Sequence, residues 1–384
     1  MKYNFDEIID RRNTGSLKWD IENNELPMWV ADMDFRTAPA VIEAVIKRAE
    51  HGVYGYNIVP QEWTESIVGW WKRRHDYEIP SDKLIFCTGI VPAISSIVRK
   101  LTTPHENVVL QTPVYNIFFN STLNNGRRVL EAPLKYDGEN YEIDWDDLEA
   151  KLAEPETTLM ILCNPHNPVG KIWDMETLAR IGGLCKKHHV TVVSDEIHCD
   201  ITEPGKGYVP FASASEECAE ISVTCISASK AFNLAGLQSA AVYTNNQALF
   251  NKVNRALNTD EVAEPNTFAV CATVAAFNDG GEWLDELRMY ISDNKKTVRE
   301  FIAAEFPKIK VIHSDATYLL WLDCNAYANE ENLAATIRRD TGLYLADGAE
   351  YGESGKGFLR LNAACPRQIL KDGLQRLKKA LAKL

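Results

Sequence analysis

The sequence predicts an α/β fold, with a mostly parallel β-sheet in a large domain and a smaller α+β domain. Short, continuously apolar runs alternate with helical patterns between residues 84 and 243, which is typical of parallel strands covered by helices on both faces. Past residue 285 this alternation gives way to one long helical pattern and isolated β-like runs. At about 150 residues per domain, 384 residues suffice for two domains. We predict a large domain over residues 46–285 and a small domain made of residues 1–45 and 286–384.

The predicted strands of the large domain are short runs of apolar and β-branched residues. In chain order they cover residues 84–88, 107–111, 127–130, 158–163, 190–194, 221–226 and 239–243. A helix is predicted over residues 92–101, where Ile94, Ile97 and Val98 lie on one face. A second helix is predicted over residues 174–188, between two of these strands.

The small domain is predicted from amphipathic helices and short strands. Residues 287–306 form one long helical pattern, and residues 310–313 and 318–323 are β-like. A helix over 330–341, a strand over 358–362 and a final helix over 367–384 complete the chain. We expect the first 45 or so residues to pack on this unit.

Composition and charge exclude several function classes. The chain carries 41 Lys and Arg against 54 Asp and Glu, a formal net charge of −13, whereas nucleic-acid and anionic-membrane surfaces need clustered Lys and Arg. No apolar run approaches the roughly 18 residues of a membrane-spanning helix, and the N-terminus lacks a signal-peptide core. We therefore expect a soluble, cytoplasmic protein that binds neither nucleic acid nor membrane.

The familiar motifs for metals, nucleotides and hydrolysis are absent. There is no G-x-G-x-x-G after a strand, no G-x-x-x-x-G-K-[ST], no H-E-x-x-H and no G-x-S-x-G. The nine cysteines contain no C-x-x-C pair, and several lie in apolar runs where a thiol behaves as a core hydrophobe. With Cys199 interpreted as structural, His198 and Asp200 lack a third ligand, so we predict no metal site.

Polar segments follow three of the predicted strands directly. They are Asn-Pro-His-Asn-Pro-Val-Gly at 164–170, Asp-Glu-Ile-His at 195–198 and Ser-Ala-Ser-Lys at 227–230, while Gly89 follows a fourth strand and opens a helix. The carboxyl ends of parallel strands meet at one sheet edge, and a helix N-terminus there can hold a phosphate. A lysine, a carboxylate, an amide and hydroxyls in that place suit pyridoxal 5′-phosphate, which needs a Schiff-base lysine and an acidic partner for its ring nitrogen.

These segments resemble the aminotransferase class I/II family, the fold-type I enzymes that depend on pyridoxal phosphate. Further matches narrow the resemblance to the MalY/PatB type of cystathionine β-lyases, or C–S lyases. They lie at residues 27–35 (Pro-Met-Trp-Val-Ala-Asp-Met-Asp-Phe), 55–56, 112–115, 358–362 and 365–366. The resemblance runs from about residue 20 to the C-terminus, and it implies the fold-type I fold with cofactor binding in the large domain.

The resemblance assigns roles around the cofactor ring. Lys230 would form the Schiff base and transfer protons, and Asp195 would pair with the ring nitrogen. Tyr115 would stack on the ring and take part in catalysis. Asn167 would hydrogen-bond the ring hydroxyl, and His198 stands where many aminotransferases place a tyrosine with the same partner.

The resemblance also assigns the phosphate anchors, a second subunit and the substrate contacts. The phosphate would be bound by Ile90, Val91, Ser227 and Ser229. Tyr56 would reach the phosphate from a partner subunit, which implies a homodimer with shared active sites. Arg360 would clamp the substrate α-carboxylate, with Asn167 and Trp29 as further substrate contacts; for Trp29, packing at the domain junction is an equal alternative. Gln238 replaces the phosphate-binding arginine of many aminotransferases.

The activity implied is β-elimination from L-cystathionine or related cysteine S-conjugates, giving a thiol, pyruvate and ammonia. Transamination of an amino acid is the alternative, because the cofactor-binding motifs serve both reactions equally well. A third hypothesis is binding of a regulator protein, for which the sequence offers no support beyond the resemblance.

Overall fold

The computed structural model describes residues 1–327 and 332–384, with a seven-stranded sheet at its centre. The α-helices are α1 (Pro39–Glu50), α2 (Gln61–His75), α3 (Ile90–Leu101), α4 (Ile117–Leu123), α5 (Trp145–Leu152), α6 (Met175–Lys187), α7 (Glu216–Ile221), α8 (Ala228–Ala231), α9 (Gln247–Thr259), α10 (Ala269–Asp279), α11 (Gly281–Glu305), α12 (Leu333–Thr341) and α13 (Arg367–Leu381). The strands are β1 (Leu26–Pro27), β2 (Leu84–Cys87), β3 (Asn107–Leu110), β4 (Arg128–Glu131), β5 (Lys135–Tyr136), β6 (Tyr141–Glu142), β7 (Thr157–Cys163), β8 (Thr191–Asp195), β9 (Ser222–Ile226), β10 (Ala240–Tyr243), β11 (Lys310–Val311), β12 (Leu319–Asp323), β13 (Leu343–Tyr344), β14 (Ala346–Asp347) and β15 (Phe358–Asn362).

The central sheet has the strand order β2-β10-β9-β8-β7-β3-β4. Strand β10 runs antiparallel to both of its neighbours, and the other pairs are parallel. Strand β7 shows why the sheet needs cover on both faces: Leu159 and Ile161 pack into one apolar cluster, Met160 and Leu162 into another. The predicted α/β class with a mostly parallel sheet is confirmed.

Helices supply that cover because each has one apolar face. Ile94 and Ile97 of α3 and Leu257 of α9 join the cluster on one face of the sheet, whereas Leu178 and Ile181 of α6 join the cluster on the other. No helix of the described residues is long and apolar enough to cross a membrane.

A second sheet is built from the C-terminal part of the chain, in the order β11-β12-β15-β14, with antiparallel pairs throughout. Strand β1, near the N-terminus, pairs in parallel with β13. The leucines of α13 pack in the same apolar cluster as Leu26 and Met28. The N-terminal segment therefore contacts the C-terminal unit through β1 and Met28. The division into a large domain over 46–285 and a small domain of 1–45 and 286–384 stays a prediction.

Several element ends differ from the prediction. Helix α3 begins at Ile90, so Pro92 lies in its first turn, where the missing proline N–H has no partner to lose. Helix α11 begins at Gly281, because Trp283 and Leu284 extend its buried face toward the N-terminus. Of the predicted helix 330–341, residues 330 and 331 lie outside the described residues.

Candidate active site

A cavity of about 220 Å³ lies at the carboxyl ends of the central strands. This is the edge of a parallel sheet where ligands bind. Most of the predicted site residues line it: Ile90, Val91, Tyr115, Asn167, Asp195, His198, Ser229 and Lys230. They come from the segments after β2, β3, β7, β8 and β9, so strand direction alone brings them together.

Lys230 lies on α8, the one-turn helix that follows β9. Ser227 caps this turn by accepting a hydrogen bond from the Ser229 N–H at 3.0 Å. The Lys230 ammonium group Nζ donates to the carbonyl oxygen of Ala31 at 2.6 Å. Burial and the positive charge of Arg360 lower the pKa of Lys230 to about 8, against the opposing effect of Asp32 and Asp195. This lysine is therefore easily deprotonated.

Asp195 ends β8 and is 4% exposed. Its Oδ1 accepts a hydrogen bond from the Ile197 N–H at 3.1 Å. Burial raises the pKa of Asp195 to about 7, partly offset by that hydrogen bond and by the charge of Lys230. A buried carboxylate of this kind is stabilised when a cationic N–H donor binds beside it.

His198 and Tyr115 are the neutral polar groups of the cavity. Burial, with the nearby charges of Lys230 and Arg360, lowers the pKa of His198 to about 3, and its Nδ1 is buried without a partner among the described residues. Burial raises the pKa of Tyr115. Near neutral pH the imidazole is therefore uncharged and the phenol keeps its proton.

Arg360 lies on the second sheet and contacts the cavity through the lining residue Asn167. It lies in the middle of β15, between Trp321 and Ala346 of the neighbouring strands, and is 4% exposed. Its Nη1 donates to Asn167 Oδ1 at 3.3 Å and its Nη2 to the Trp29 carbonyl at 2.8 Å. Its Nε is buried with no partner among the described residues, which leaves a donor free for an anionic ligand.

The part of the cavity formed by the start of α3 and by Ser229 can bind an anion. Gly89 precedes α3, and the first residues of that helix, Ile90 and Val91, line the cavity. Ser229 also lines it, and its hydroxyl lies 2.9 Å from Ser227 Oγ. Unpaired N–H groups at a helix start together with a hydroxyl favour a phosphate.

Four predicted residues do not line this cavity: Arg360, which contacts it only through Asn167, and Ser227, Trp29 and Tyr56. Ser227 acts on it through Ser229, and Trp29 stacks on Tyr344 with ring centroids 4.7 Å apart while its carbonyl accepts from Arg360. The Tyr56 side chain is fully exposed and lines a separate surface groove of about 810 Å³.

Sequence reasoning missed three contributors to the site. Tyr318 is fully buried, and its hydroxyl donates to the Ala31 carbonyl at 2.8 Å. The ring of Tyr351 lies 4.8 Å from the Arg360 guanidinium. Cys163, interpreted as a core thiol, is buried as expected but also lines the cavity. Neither tyrosine belongs to a motif, so only the folded structure shows that these two side chains belong to the site.

A second polar cluster lies outside the cavity. His75, Cys199 and Asp200 present ligand atoms within 4.8 Å of one another, and His198 is not among them. His75 Nε2 and Trp70 Nε1 each lie 2.9 Å from Asp200 Oδ1. These hydrogen bonds anchor the loop after β8 to α2.

The comparisons with known proteins agree with this site. The family model for aminotransferase class I and II matches residues 26–377, and the chain belongs to that family. It is 43% identical to cystathionine beta-lyase PatB of Bacillus subtilis (strain 168), over 99% of this chain and 100% of the relative. Protein MalY of Escherichia coli (strain K12) is 33% identical over 99% of both chains. The structure of cystalysin from Treponema denticola, which contains pyridoxal 5′-phosphate, matches with a TM-score of 0.96 and 31% identity over 100% of both chains.

The residues of the cavity fit pyridoxal 5′-phosphate. Asp195 is a buried carboxylate without an ion-pair partner within 4 Å among the described residues, which suits a protonated ring nitrogen. Lys230 offers an amine of lowered pKa for the aldehyde. The start of α3 and Ser229 offer donors to the phosphate. The observation that decides the fit is Asp195, because this buried carboxylate accepts only the Ile197 N–H hydrogen bond and has no ion-pair partner within 4 Å among the described residues.

Proposed function

We propose that this chain is a pyridoxal phosphate-dependent C–S lyase that catalyses β-elimination from L-cystathionine or related cysteine S-conjugates. The observation that carries the proposal is a half-buried lysine of lowered pKa and a buried carboxylate in one cavity. Similarity over the whole chain to a protein named cystathionine beta-lyase supports the choice of this reaction. When bound, the cofactor supplies an aldehyde that joins amines and a ring that accepts electron density from the substrate Cα.

The side chains around the cavity bind the cofactor and the substrate and transfer the proton. Lys230 holds the cofactor and, once its amine is free, takes the proton from the substrate Cα. Asp195 would keep the ring nitrogen protonated, Asn167 and His198 would hydrogen-bond the ring hydroxyl, and Tyr115 would cover the ring face. Arg360 binds the substrate α-carboxylate with its guanidinium donors.

The elimination balances without an oxidant or reductant. The Cα proton passes to Lys230, the Cβ–S bond breaks, and the electron pair of that bond leaves with the sulfur, which takes up a proton as the thiol. The three-carbon fragment then reacts with water to give pyruvate and ammonia.

The proposal is tested with the cofactor-loaded protein and L-cystathionine. We expect one pyruvate per thiol released, with the cofactor retained, and no pyruvate from a Lys230→Ala variant. Conversion of the cofactor to its aminated form, with no pyruvate until a keto acid is added, would instead identify an aminotransferase.

We also propose that two copies of the chain form a homodimer with shared active sites. The segment from residue 51 to residue 60 has no regular structure and exposes Tyr54, Tyr56 and Ile58. Tyr56 and Ile58 line the groove of about 810 Å³, and clustered apolar exposure of this kind marks interaction surfaces. A second copy would cover the patch and bring Tyr56 to the phosphate end of its partner's cavity.

We place the enzyme in the cytoplasm. All nine cysteines are free, and eight of them are buried. Free thiols in this number suit a reducing compartment.

A further inference from the structure

The segment from Trp29 to Met33 is held by side chains and forms no strand. Every carbonyl oxygen along it accepts a side-chain hydrogen bond. In chain order the pairs are Trp29 O with Arg360 Nη2 at 2.8 Å, Val30 O with Asn362 Nδ2 at 2.6 Å, Ala31 O with Lys230 Nζ at 2.6 Å and with Tyr318 Oη at 2.8 Å, Asp32 O with Asn362 Nδ2 at 2.6 Å, and Met33 O with Asn233 Nδ2 at 2.9 Å.

This segment links the two cations of the site. Arg360 lies in β15 of the second sheet and Lys230 on α8, which follows β9 of the central sheet. They nevertheless donate to carbonyls only two residues apart in the chain, those of Trp29 and Ala31. The position of the Ala31 carbonyl therefore sets where the lysine amine lies relative to the arginine. That relation matters because Arg360 orients the substrate whose Cα proton Lys230 takes.

A buried ionic cluster anchors the far end of the segment. Lys18 Nζ lies 2.8 Å from Asp34 Oδ2, and Arg11 Nη2 lies 2.7 Å from Asp32 Oδ2. Lys18 is only 1% exposed, so its pair with Asp34 is shielded from solvent, whereas the Arg11–Asp32 pair is about a fifth exposed. With both ends fixed, the remaining freedom of the Ala31 peptide is restricted by its own hydrogen bonds.

Tyr318 supplies the restriction that does not depend on the lysine. Its side chain is fully buried, and its ring packs edge-on against the His198 ring, with centroids 6.2 Å apart. Its hydrogen bond to the Ala31 carbonyl involves no atom of Lys230, so it does not depend on whether the Lys230 amine is bound to the cofactor. Tyr318 thus holds the Ala31 carbonyl in position to accept a hydrogen bond from the Lys230 amine whenever that amine is free.

We propose that Tyr318 is a positioning residue for Lys230, acting through the Ala31 carbonyl. When the amine is free, one of its N–H groups donates to this carbonyl, and its lone pair is thereby directed toward the substrate Cα. The proton moves from Cα to that lone pair and can return by the same path. This inference rests on the proposed function, because it assigns Lys230 as the base.

The test measures Cα proton transfer without C–S cleavage. Cofactor-loaded protein is incubated with L-alanine in D₂O, because alanine has the amine and carboxylate but no leaving group at Cβ. Loss of the alanine α-proton signal is followed by ¹H NMR, and half-saturation is read from the cofactor absorbance. The variants are Tyr318→Phe and Tyr141→Phe; Tyr141 is a matched control, since its buried hydroxyl accepts from Trp321 Nε1 outside the cavity.

For Tyr318→Phe we expect exchange at saturating alanine to fall about tenfold or more, since small misplacements of a reacting group are costly. Half-saturation and cofactor content stay within about twofold of wild type, and Tyr141→Phe exchanges like wild type. Unchanged exchange in Tyr318→Phe overturns the inference, as does an equal loss in Tyr141→Phe or a parallel loss of alanine affinity. A wild-type protein that exchanges alanine but forms no pyruvate from L-cystathionine refutes the lyase proposal and leaves this inference standing.

Discussion

Burial sets the protonation states of the residues that carry the proposed chemistry. Lys230, Asp195 and His198 line the same cavity, and burial disfavours the charged form of each. The pKa values of the lysine and the histidine are therefore lowered, and the pKa of the aspartate is raised. Burial therefore shifts all three groups toward their neutral forms. For Asp195, a protonated cofactor ring nitrogen beside it would favour the charged form again.

The charge of Asp195 can be removed without changing its shape. We expect Asp195→Asn to keep the cofactor but to release pyruvate about 100-fold more slowly, the usual loss for one preorganised electrostatic contact. Steady-state pyruvate assays measure the change. Glu196→Gln is the control, since this neighbouring carboxylate accepts from Ser194 and the Phe211 N–H instead of facing the cavity. Equal rates in Asp195→Asn and wild type would remove Asp195 from its role.

His166 makes stability depend on pH. Burial lowers its pKa to about 4, against about 6.5 in the unfolded chain. Between those values the unfolded chain binds a proton that the native state does not, so this stability is present above about pH 6.5 and is lost as pH falls toward 4. From pH 7 to pH 5 the loss due to His166 is about 2 kcal/mol.

Urea unfolding of wild type and His166→Asn at both pH values isolates this contribution. The raised pKa values of Asp195 and Glu196 act in the opposite direction but are common to both proteins, so they cancel in the difference. The variant should lose about 2 kcal/mol less on acidification. The same pH dependence in both proteins would contradict the assignment.

At the scale of elements, two adjacent glycines of α6 have opposite surroundings. A methyl group at Gly182 would overlap Cys218 Sγ on α7, whereas a methyl group at Gly183 would meet open space. Alanine favours a helix over glycine by about 1 kcal/mol. Only at Gly183 is that gain free of a packing cost.

We expect Gly183→Ala to stabilise the protein by about 0.5–1 kcal/mol and Gly182→Ala to destabilise it by about 1–3 kcal/mol. Chemical denaturation measures both. Adding Cys218→Ala to Gly182→Ala should recover much of the loss, because the two sites are in contact. Stabilisation by Gly182→Ala alone would show that α6 and α7 are not tightly packed.

Elements with a strong pattern could be predicted from the sequence, and those held by tertiary contacts could not. The apolar runs of β7, β8 and β9 are long enough to predict buried parallel strands from the sequence. Strand β1 has only two residues, and it exists because β13 lies beside it. Helix α10 is apolar around most of its surface, so it carries little periodicity to recognise.

The candidate site divides in the same way. Side chains that follow strands, such as Asp195 and Lys230, can be predicted because strand direction brings them to one edge. The role of the Ala31 carbonyl cannot be predicted, because every residue has a backbone carbonyl. Only the fold shows that this one accepts hydrogen bonds from Lys230 and Tyr318. Tyr318 escapes for a related reason: its role depends on a hydrogen bond to that carbonyl.

For the whole molecule, the exposed patch at residues 51–60 predicts the assembly state. Ile58 is 80% exposed in the single chain, so Ile58→Asp costs the monomer little. In a dimer the same change would bury a charge at the interface. We expect wild type to sediment at twice 43.2 kDa and Ile58→Asp to sediment as the monomer. Leu17→Asp, an exposed change away from this patch, is the control and should stay dimeric.

The anchoring of residues 29–33 also bears on how the chain matures during synthesis. Their partners Tyr318, Arg360 and Asn362 are translated some 300 residues later, by the numbering of the hydrogen bonds themselves. The N-terminal segment therefore leaves the ribosome long before the donors to its carbonyls exist, while the central sheet can already form from residues 84–243. A nascent chain that ends before residue 318 contains the strands of the central sheet but lacks Tyr318, Arg360 and Asn362, so their hydrogen bonds to residues 29–32 can form only at the end of synthesis.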